Sequence, residues 1–550
     1  MTGLDWNVIL SYAYLAAAAC ALVLASLPLV HMLQLESYQG RMYLKWLGRH
    51  FASDVAPYLL VGAAALLLRC SYAMLYRTNY ALARVCYIGA DAVYLALLLL
   101  LFFGYKRRKQ IKPLAFTGRV KRLLAVEFVL GVLFTASFFA AARFYDGTMP
   151  WGVFLVPNAV RYLPGMLLPL FVFLAYGITY PVEAAVKRWY FNDARKKLAA
   201  RADVTKIAVT GSFGKTGTKY ALGTILAEKH NVLFTPGSFN TPMGVTRVIR
   251  GQLSEEHEIF IAEMGARYRG DIRELCRLVR PKFGIITAIG KQHLETFGSL
   301  EGVIATKGEL MEGLMPDGCC FFNGDDANCR AMYAGCALPE KYLFGMEGEG
   351  LYMAACEVET GPEGSMFTLQ TADGASVRCR TKLLGRHNIV NLAGAAACAY
   401  RLGLTLSEIA AGVAKVEPVE HRLQLIPGAV TVIDDAFNAN PIGSREALNV
   451  LASFPGRRIC VTPGMVELGA EEAELNREFG YHMAKCADVA LVIGKAHADP
   501  ICEGLREGGF PESCIVRVAS LAEATEKLPA YTAPGCVVLF ENDLPDNYRE

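Results

Sequence analysis

Hydrophobic and polar positions divide this chain into two regimes. Up to about residue 190, long apolar runs alternate with short charged stretches, whereas beyond it short apolar runs alternate with longer mixed segments. Crossing a bilayer takes ~20 consecutive apolar residues. Runs of that length fall near Ile9–Val30, Ala56–Leu75, Val85–Gly104, Leu123–Ala142 and Tyr162–Tyr180. The pattern therefore predicts a multi-span helical membrane domain over residues 1–190. The segment before the first run, MTGLDWN, carries no positive charge, which favours an uncleaved helix over a signal peptide. The second regime reads as alternating strand and helix, the pattern of an α/β fold with parallel sheets. Strands are expected at Lys206–Thr210, Glu258–Ala262, from Phe283 onward and at Cys536–Phe540, and a small-residue helix at 391–403.

Composition sharpens this division. With 550 residues, and ~150 per domain, three or four domains are expected. Hydrophobic residues make up 53% and charged ones 19%, against about 25% charged in an ordinary soluble chain, and the apolar excess lies in the first third. A net charge of +3 gives no case for nucleic-acid binding. Lys and Arg collect after the first, third and fifth runs, for example at Arg41, Lys45 and Arg49, at Lys106–Lys109, and at Lys187, Arg188 and Arg195–Lys197. By the positive-inside rule these stretches face the cytoplasm. The expectation is a multi-pass plasma-membrane protein with its catalytic domains in the cytosol. Asp91 and Glu127 fall inside expected spans, where ionisable groups are costly. None of the 16 cysteines forms a CxxC pair, so buried thiols are expected rather than a zinc site or disulfides.

The first chemical motif follows the last apolar run. In KIAVTGSFGKTGTK an apolar strand leads to Gly211-Ser212-Phe-Gly214-Lys215-Thr216-Gly217 and then a helix. Gly211 and Gly214 let backbone N–H groups approach phosphates, and the helix N-terminus adds its dipole. Lys215 can reach the outer phosphates and the Thr216 hydroxyl can ligate Mg²⁺. The spacing, GxxGKT, is shorter than the Walker form, but the strand–turn–helix context is right. A second strand ends in Glu263, a carboxylate suited to Mg²⁺, and a third apolar strand leads to His293. Ligands bind at the carboxyl ends of parallel strands, so these strand ends reinforce one another.

TGSFGKTGTK, FNTPMG, AEMG, KQHLETFGS, ATKGEL, GRHNIVNLAGAAACA, HRLQ and DDAFNANP fall in the order seen in Mur ligases. The chain resembles that family over roughly residues 205–500, and most the members that add D-alanyl-D-alanine to the cell-wall precursor. The resemblance implies a central ATP-binding P-loop domain over 200–425 and a smaller Rossmann-like domain over 426–550. It implies that Lys215 binds the ATP phosphates, that Thr216 and Glu263 hold one Mg²⁺ and His293 a second, and that Lys307 is carbamylated. It places Asn388 near the adenine, Arg422 near the hinge, and Asp434 or Asp435 with Asn438 and Asn440 near the ribose and phosphates. Asn440-Pro441 also reads as a helix cap followed by Pro at the first position.

The implied reaction is ligation of a carboxylate to an amine. The carboxylate attacks the γ-phosphate to give an acyl-phosphate and ADP, and the amine then displaces phosphate. The implied partners are a carboxylate acceptor and an amino-acid or dipeptide amine. Two departures matter. The family's small domain that grips a UDP-sugar is replaced by apolar spans, so the acceptor is expected on something membrane-linked. The family's GDMxELG and KGSRG-like stretches appear as Pro463-Gly-Met-Val-Glu-Leu-Gly469 and Glu541-Asn-Asp. A poly-γ-glutamate-type synthetase and an ATPase-driven transporter of a lipid-linked substrate stand as alternatives.

Overall fold

The computed structural model describes residues 6–75, 78–108, 110, 112–142, 160–437, 439–494 and 498–543. Its contacts divide the chain into two compact units, Met1–Lys187 and Arg188–Leu544.

The first unit is helical. Its long helices are Trp6–Leu35, Ala56–Leu75, Tyr80–Arg107 and Gly118–Ala142, followed by Leu168–Ala200, which leads the chain into the second unit. Among the described residues four helices are long and apolar enough to cross a membrane: Tyr12–Leu35, Phe51–Tyr72, Tyr80–Arg107 and Leu168–Ala200. The expected run at Tyr162–Tyr180 is not one helix: a turn interrupts it at Leu167. Pro169 explains the restart, because proline suits a first helical turn, where its missing N–H costs nothing. The short helix Gly40–Arg49 buries Tyr43, Trp46 and Leu47. Both acidic residues expected within spans are paired. Asp91 accepts from Arg161 Nη2 (2.5 Å) and the Tyr162 hydroxyl (2.7 Å), while Ser26 Oγ donates to Glu127 (2.5 Å).

The second unit holds two sheets. The larger comprises β1 (Thr205–Thr210), β2 (Val232–Phe234), β3 (Ile259–Glu263), β4 (Phe283–Ile286), β5 (Cys319–Asn323), β6 (Glu340–Gly345), β7 (Leu351–Gly361), β8 (Gly364–Thr371) and β9 (Ser376–Thr381). They run in the order β2-β3-β1-β4-β5-β6-β7-β8-β9, parallel as far as β7 and antiparallel over the last two pairings. The inner strands β1, β3, β4 and β5 are apolar and almost wholly buried, as parallel strands covered on both faces must be. One face packs against helices Lys215–Leu226 and Arg386–Arg401, the second rich in alanine. The other packs against helices Pro242–Gln252, Asp271–Val279 and Leu300–Gly313.

The smaller sheet comprises β10 (Gln424–Ile426), β11 (Thr431–Asp435), β12 (Arg458–Thr462), β13 (Val489–Ile493), β14 (Ile515–Val518) and β15 (Val537–Glu541). Its order is β10-β11-β15-β12-β13-β14, parallel except at β10. Register places Asp435 beside Glu541 at the carboxyl ends of β11 and β15.

Candidate active site

The phosphate loop joins β1 to helix Lys215–Leu226, and its backbone explains its glycines. Gly211 has φ +153° and a Cβ there would meet Thr287 Oγ1 at 2.1 Å. Gly214 has φ +81°, and a Cβ would meet Asn391 Oδ1 at 2.5 Å. Any other residue would clash at both places, and at Gly214 the backbone would also be strained. Ser212 is buried and ties the loop down: its N–H donates to the Ala288 carbonyl (2.7 Å) and its hydroxyl to the Gly290 carbonyl (3.0 Å). Lys215 Nζ donates to the carbonyls of Gly211 and Ser212, both at 2.8 Å. Burial pushes its ammonium down to about 8; Glu263 opposes this and Arg422 adds to it. Thr216 is buried in the first helical turn, and Gly217 lines the neighbouring cleft.

Glu263 is the last residue of β3 and is 1% exposed. Burial alone would raise its carboxyl. Lys219 and Lys215, with hydrogen bonds from Lys219 Nζ (2.9 Å) and Asn240 Nδ2 (3.0 Å), bring it below the usual carboxylate range instead. Lys307 is also buried, on helix Leu300–Gly313, and burial followed by the nearby Lys215 charge holds its amine well below the ordinary lysine range.

His293 follows β4 and faces Glu467 from the loop after β12; His293 Nδ1 and a Glu467 carboxylate oxygen make the contact. Both residues sit in the left-handed region, with φ +51° and +64°. Non-glycine residues there cost of order 1–3 kcal/mol and cluster at functional sites. Burial lowers the His293 pKa more than Glu467 raises it, so the ring is neutral at pH 7. Arg267 Nη2 also reaches Glu467 (3.3 Å), and Lys291 pairs with Glu471 alongside.

The rest of the predicted set gathers in a cleft between the two sheets. Gly214, Gly217, Asn388, Arg422, Asp435 and Asn440 line it, together with Phe213, Tyr220, Asn391, Phe437 and Glu541. Asn388 Nδ2 donates to the Leu384 carbonyl (2.9 Å). Asn440 caps helix Pro441–Ala452 by accepting from Gly443 N–H, with Pro441 at the first turn, as its sequence suggests. Of the two aspartates, Asp435 faces the cleft, whereas Asp434 is engaged by His421 Nδ1 (2.7 Å). Asp435 and Glu541 are adjacent carboxyls, the first half-buried and the second buried. Burial raises both, and the Asp435 charge raises Glu541 further. Asn438 lies outside the described residues. A second cavity of about 400 Å³ shares Ile442 with this cleft and is lined by Lys291, Asn328, Arg445, Met465, Phe479 and His482, among others.

Sequence reasoning gave no role to Lys219, Asn240 or Asn391, and it named Glu467 and Glu541 only within variant motifs. Lys219 was visible in GKTGTK, four residues after Lys215 and so on the same helix face.

Two family models match the chain: the Mur ligase middle domain over residues 209–399 and the Mur ligase, glutamate ligase domain over 421–541. The UDP-N-acetylmuramoyl-tripeptide–D-alanyl-D-alanine ligase of Escherichia coli K12 is 33% identical over 339 residues, which cover 61% of this chain and 74% of the relative. Its counterpart from Haemophilus influenzae is 32% identical, covering 65% and 75%. Among solved structures, MurF from Acinetobacter baumannii gives a TM-score of 0.60 at 28% identity, covering 66% of this chain and 78% of that one. MurF from Thermotoga maritima in complex with ADP gives 0.58 at 26%, covering 65% and 80%. The helical unit lies outside both matched domains.

Proposed function

The chain belongs to the Mur ligase family, and from that premise we propose that it is an ATP-dependent ligase of cell-wall synthesis that joins a carboxylate to an amine. The observation that carries this reading is the convergence of Lys215, Glu263, His293 and Lys307 around one phosphate loop. The loop backbone N–H groups after Ser212 and the Lys215 ammonium bind the γ-phosphate, and they neutralise charge as the acceptor carboxylate attacks it. Asn388, Asn391 and Arg422 orient the nucleotide from the cleft, and Asp435 takes its ribose hydroxyls. Closure of the C-terminal part, through Glu467 and Glu471, excludes water from an acyl-phosphate that water would destroy.

The donor set fits magnesium. Glu263 and Thr216 offer oxygen, and His293 is neutral, with Nδ1 engaged by Glu467 so that Nε2 remains as the ligating atom. Among the described residues no three His, Cys, Asp or Glu side chains form a closed metal cage. The phosphates and water would complete the shell, as they do in sites with one or two carboxylates. When bound, Mg²⁺ supplies further charge neutralisation on the transferring phosphoryl group. Burial lowers the Lys307 pKa and so favours the neutral amine, the nucleophilic form that adds CO₂, which supports carbamylation there.

The finer reading is a lipid-linked acceptor. Its support is that apolar helices lead directly into the ATP-binding domain, so a membrane-held acceptor would meet a tethered site at high effective concentration. On this reading the protein is a multi-pass plasma-membrane enzyme with its ligase domains in the cytosol. The test is phosphate release by the full chain in detergent with Mg-ATP, against a panel of lipid-linked and UDP-linked muropeptides, each with D-alanyl-D-alanine or single amino acids. Release that needs both a carboxylate and an amine is expected. Release indifferent to the panel would overturn the ligase reading.

A further inference from the structure

Lys219 is a buried charged residue near the phosphate loop that the reaction above leaves without a task. Its side chain is fully buried, one helical turn beyond Lys215. Two ammonium groups at i and i+4 on one helix face repel each other, so the placement needs a compensating anion. Glu263 provides it: Lys219 Nζ donates to Glu263 Oε2 at 2.9 Å and to the Gly237 carbonyl at 2.6 Å. Asn240 Nδ2 holds Oε1 at 3.0 Å, and the Asn240 carbonyl accepts from Gly265 N–H (2.8 Å). The Glu263 N–H in turn donates to Thr235 Oγ1 (3.1 Å), and Gly237 N–H to the Tyr220 hydroxyl (2.9 Å). The carboxylate is thus gripped on both oxygens, and the 235–241 loop is laced to the helix through the same ammonium.

As a stability device this pair is a poor choice. Desolvating two charges commonly costs as much as their attraction returns, and well-packed apolar residues do as well. Its value is positional. An ionised carboxylate offers about four acceptor sites, of which Lys219 and Asn240 occupy one on each oxygen.

We propose that Lys219 is the positioning residue of the magnesium centre: it holds the Glu263 carboxylate at the strand end and competes electrostatically with the divalent cation for it. The site is thereby kept formed in metal-free protein, at the expense of metal affinity. This rests on the reading of Glu263 as a metal ligand.

The test is Mn²⁺ binding, followed by electron paramagnetic resonance of the free ion, on the full chain in detergent without nucleotide. Lys219→Gln, and Lys219→Met as a second neutral variant, should bind Mn²⁺ at least about tenfold more tightly, because a unit charge a few ångströms away has been removed. Both should melt lower than wild type without metal and recover more on adding it. Lys219→Arg should keep wild-type affinity, and Glu263→Gln should lose binding. Unchanged or weaker affinity in the neutral variants, with binding lost in Glu263→Gln, would overturn the role of Lys219 alone. Wild-type binding in Glu263→Gln would remove the metal reading beneath it. Neutral variants that fail to fold even with Mn²⁺ would also contradict the proposal, since a vacated competitor must leave a site that metal rescues.

Discussion

The two walls of the cleft are both built at the carboxyl ends of parallel strands, yet they carry opposite charge. The wall from the larger sheet presents the Lys215 and Lys219 ammonium groups, with the buried Lys307 amine beside them, around a single carboxylate, Glu263. The wall from the smaller sheet presents Asp435, Glu541 and Glu467. The lysine wall is where polyanionic phosphates belong. The acidic wall stays tolerable because burial raises the Glu541 carboxyl, and because Glu467 shares a hydrogen bond with His293 and has the Arg267 charge beside it. One wall thus does electrostatic work on the reacting groups, while the other aligns and closes.

If this division holds, the largest effects should come from the lysine wall. Lys215→Ala should lower kcat by roughly 10³-fold in a coupled phosphate-release assay, since it removes the cation nearest the transferring group. Lys307→Ala should cost about 10²-fold, with part of the activity restored by formate or acetate, which can stand in for a carbamate's oxygens. Rescue by neither acid would leave Lys307 as a plain buried amine. Glu467→Gln, on the aligning wall, should cost about tenfold in activity and in metal affinity, the range for a group that orients a ligating histidine.

A smaller effect reads the charge of the lysine wall directly. In the folded chain burial brings Lys215 to about 8, below its ordinary 10.5. The cost of burying its charge is fully present below pH 8. From pH 8 to about 10.5 the folded state releases this proton first, so stability rises with pH. The melting temperature of wild type relative to Lys215→Met should therefore climb across that window, and a flat difference would contradict it. At the bottom of the scale, Lys382→Gln breaks an exposed pair with Glu417 and should change stability by no more than ~0.5 kcal/mol in denaturant titration.

Much of the lysine wall was legible in the sequence, because the phosphate loop is local. Strand, positive-φ glycines, lysine and helix lie within a dozen or so residues, and each is demanded by the same backbone path. The capping role of Asn440 was legible for the same reason. What stayed hidden depends on distant pairings. Lys219 gains its meaning only when β3 brings Glu263 beside it, and Glu467 only when the loop after β12 meets His293. Glu541 stands only as a departure from a family motif until register sets it against Asp435. The long apolar run at Tyr162–Tyr180 found a spanning-length helix but not its start, since hydropathy is blind to the turn at Leu167 before Pro169.

The most direct measurement of the central claim uses an acceptor carboxylate labelled with ¹⁸O, with whichever amine supports phosphate release. An acyl-phosphate pathway transfers one labelled oxygen from the carboxylate to the released phosphate, so labelled phosphate should accumulate in step with product. Phosphate carrying oxygen only from water would mean that ATP is hydrolysed without activating the carboxylate, and the ligase account of this cleft would fail.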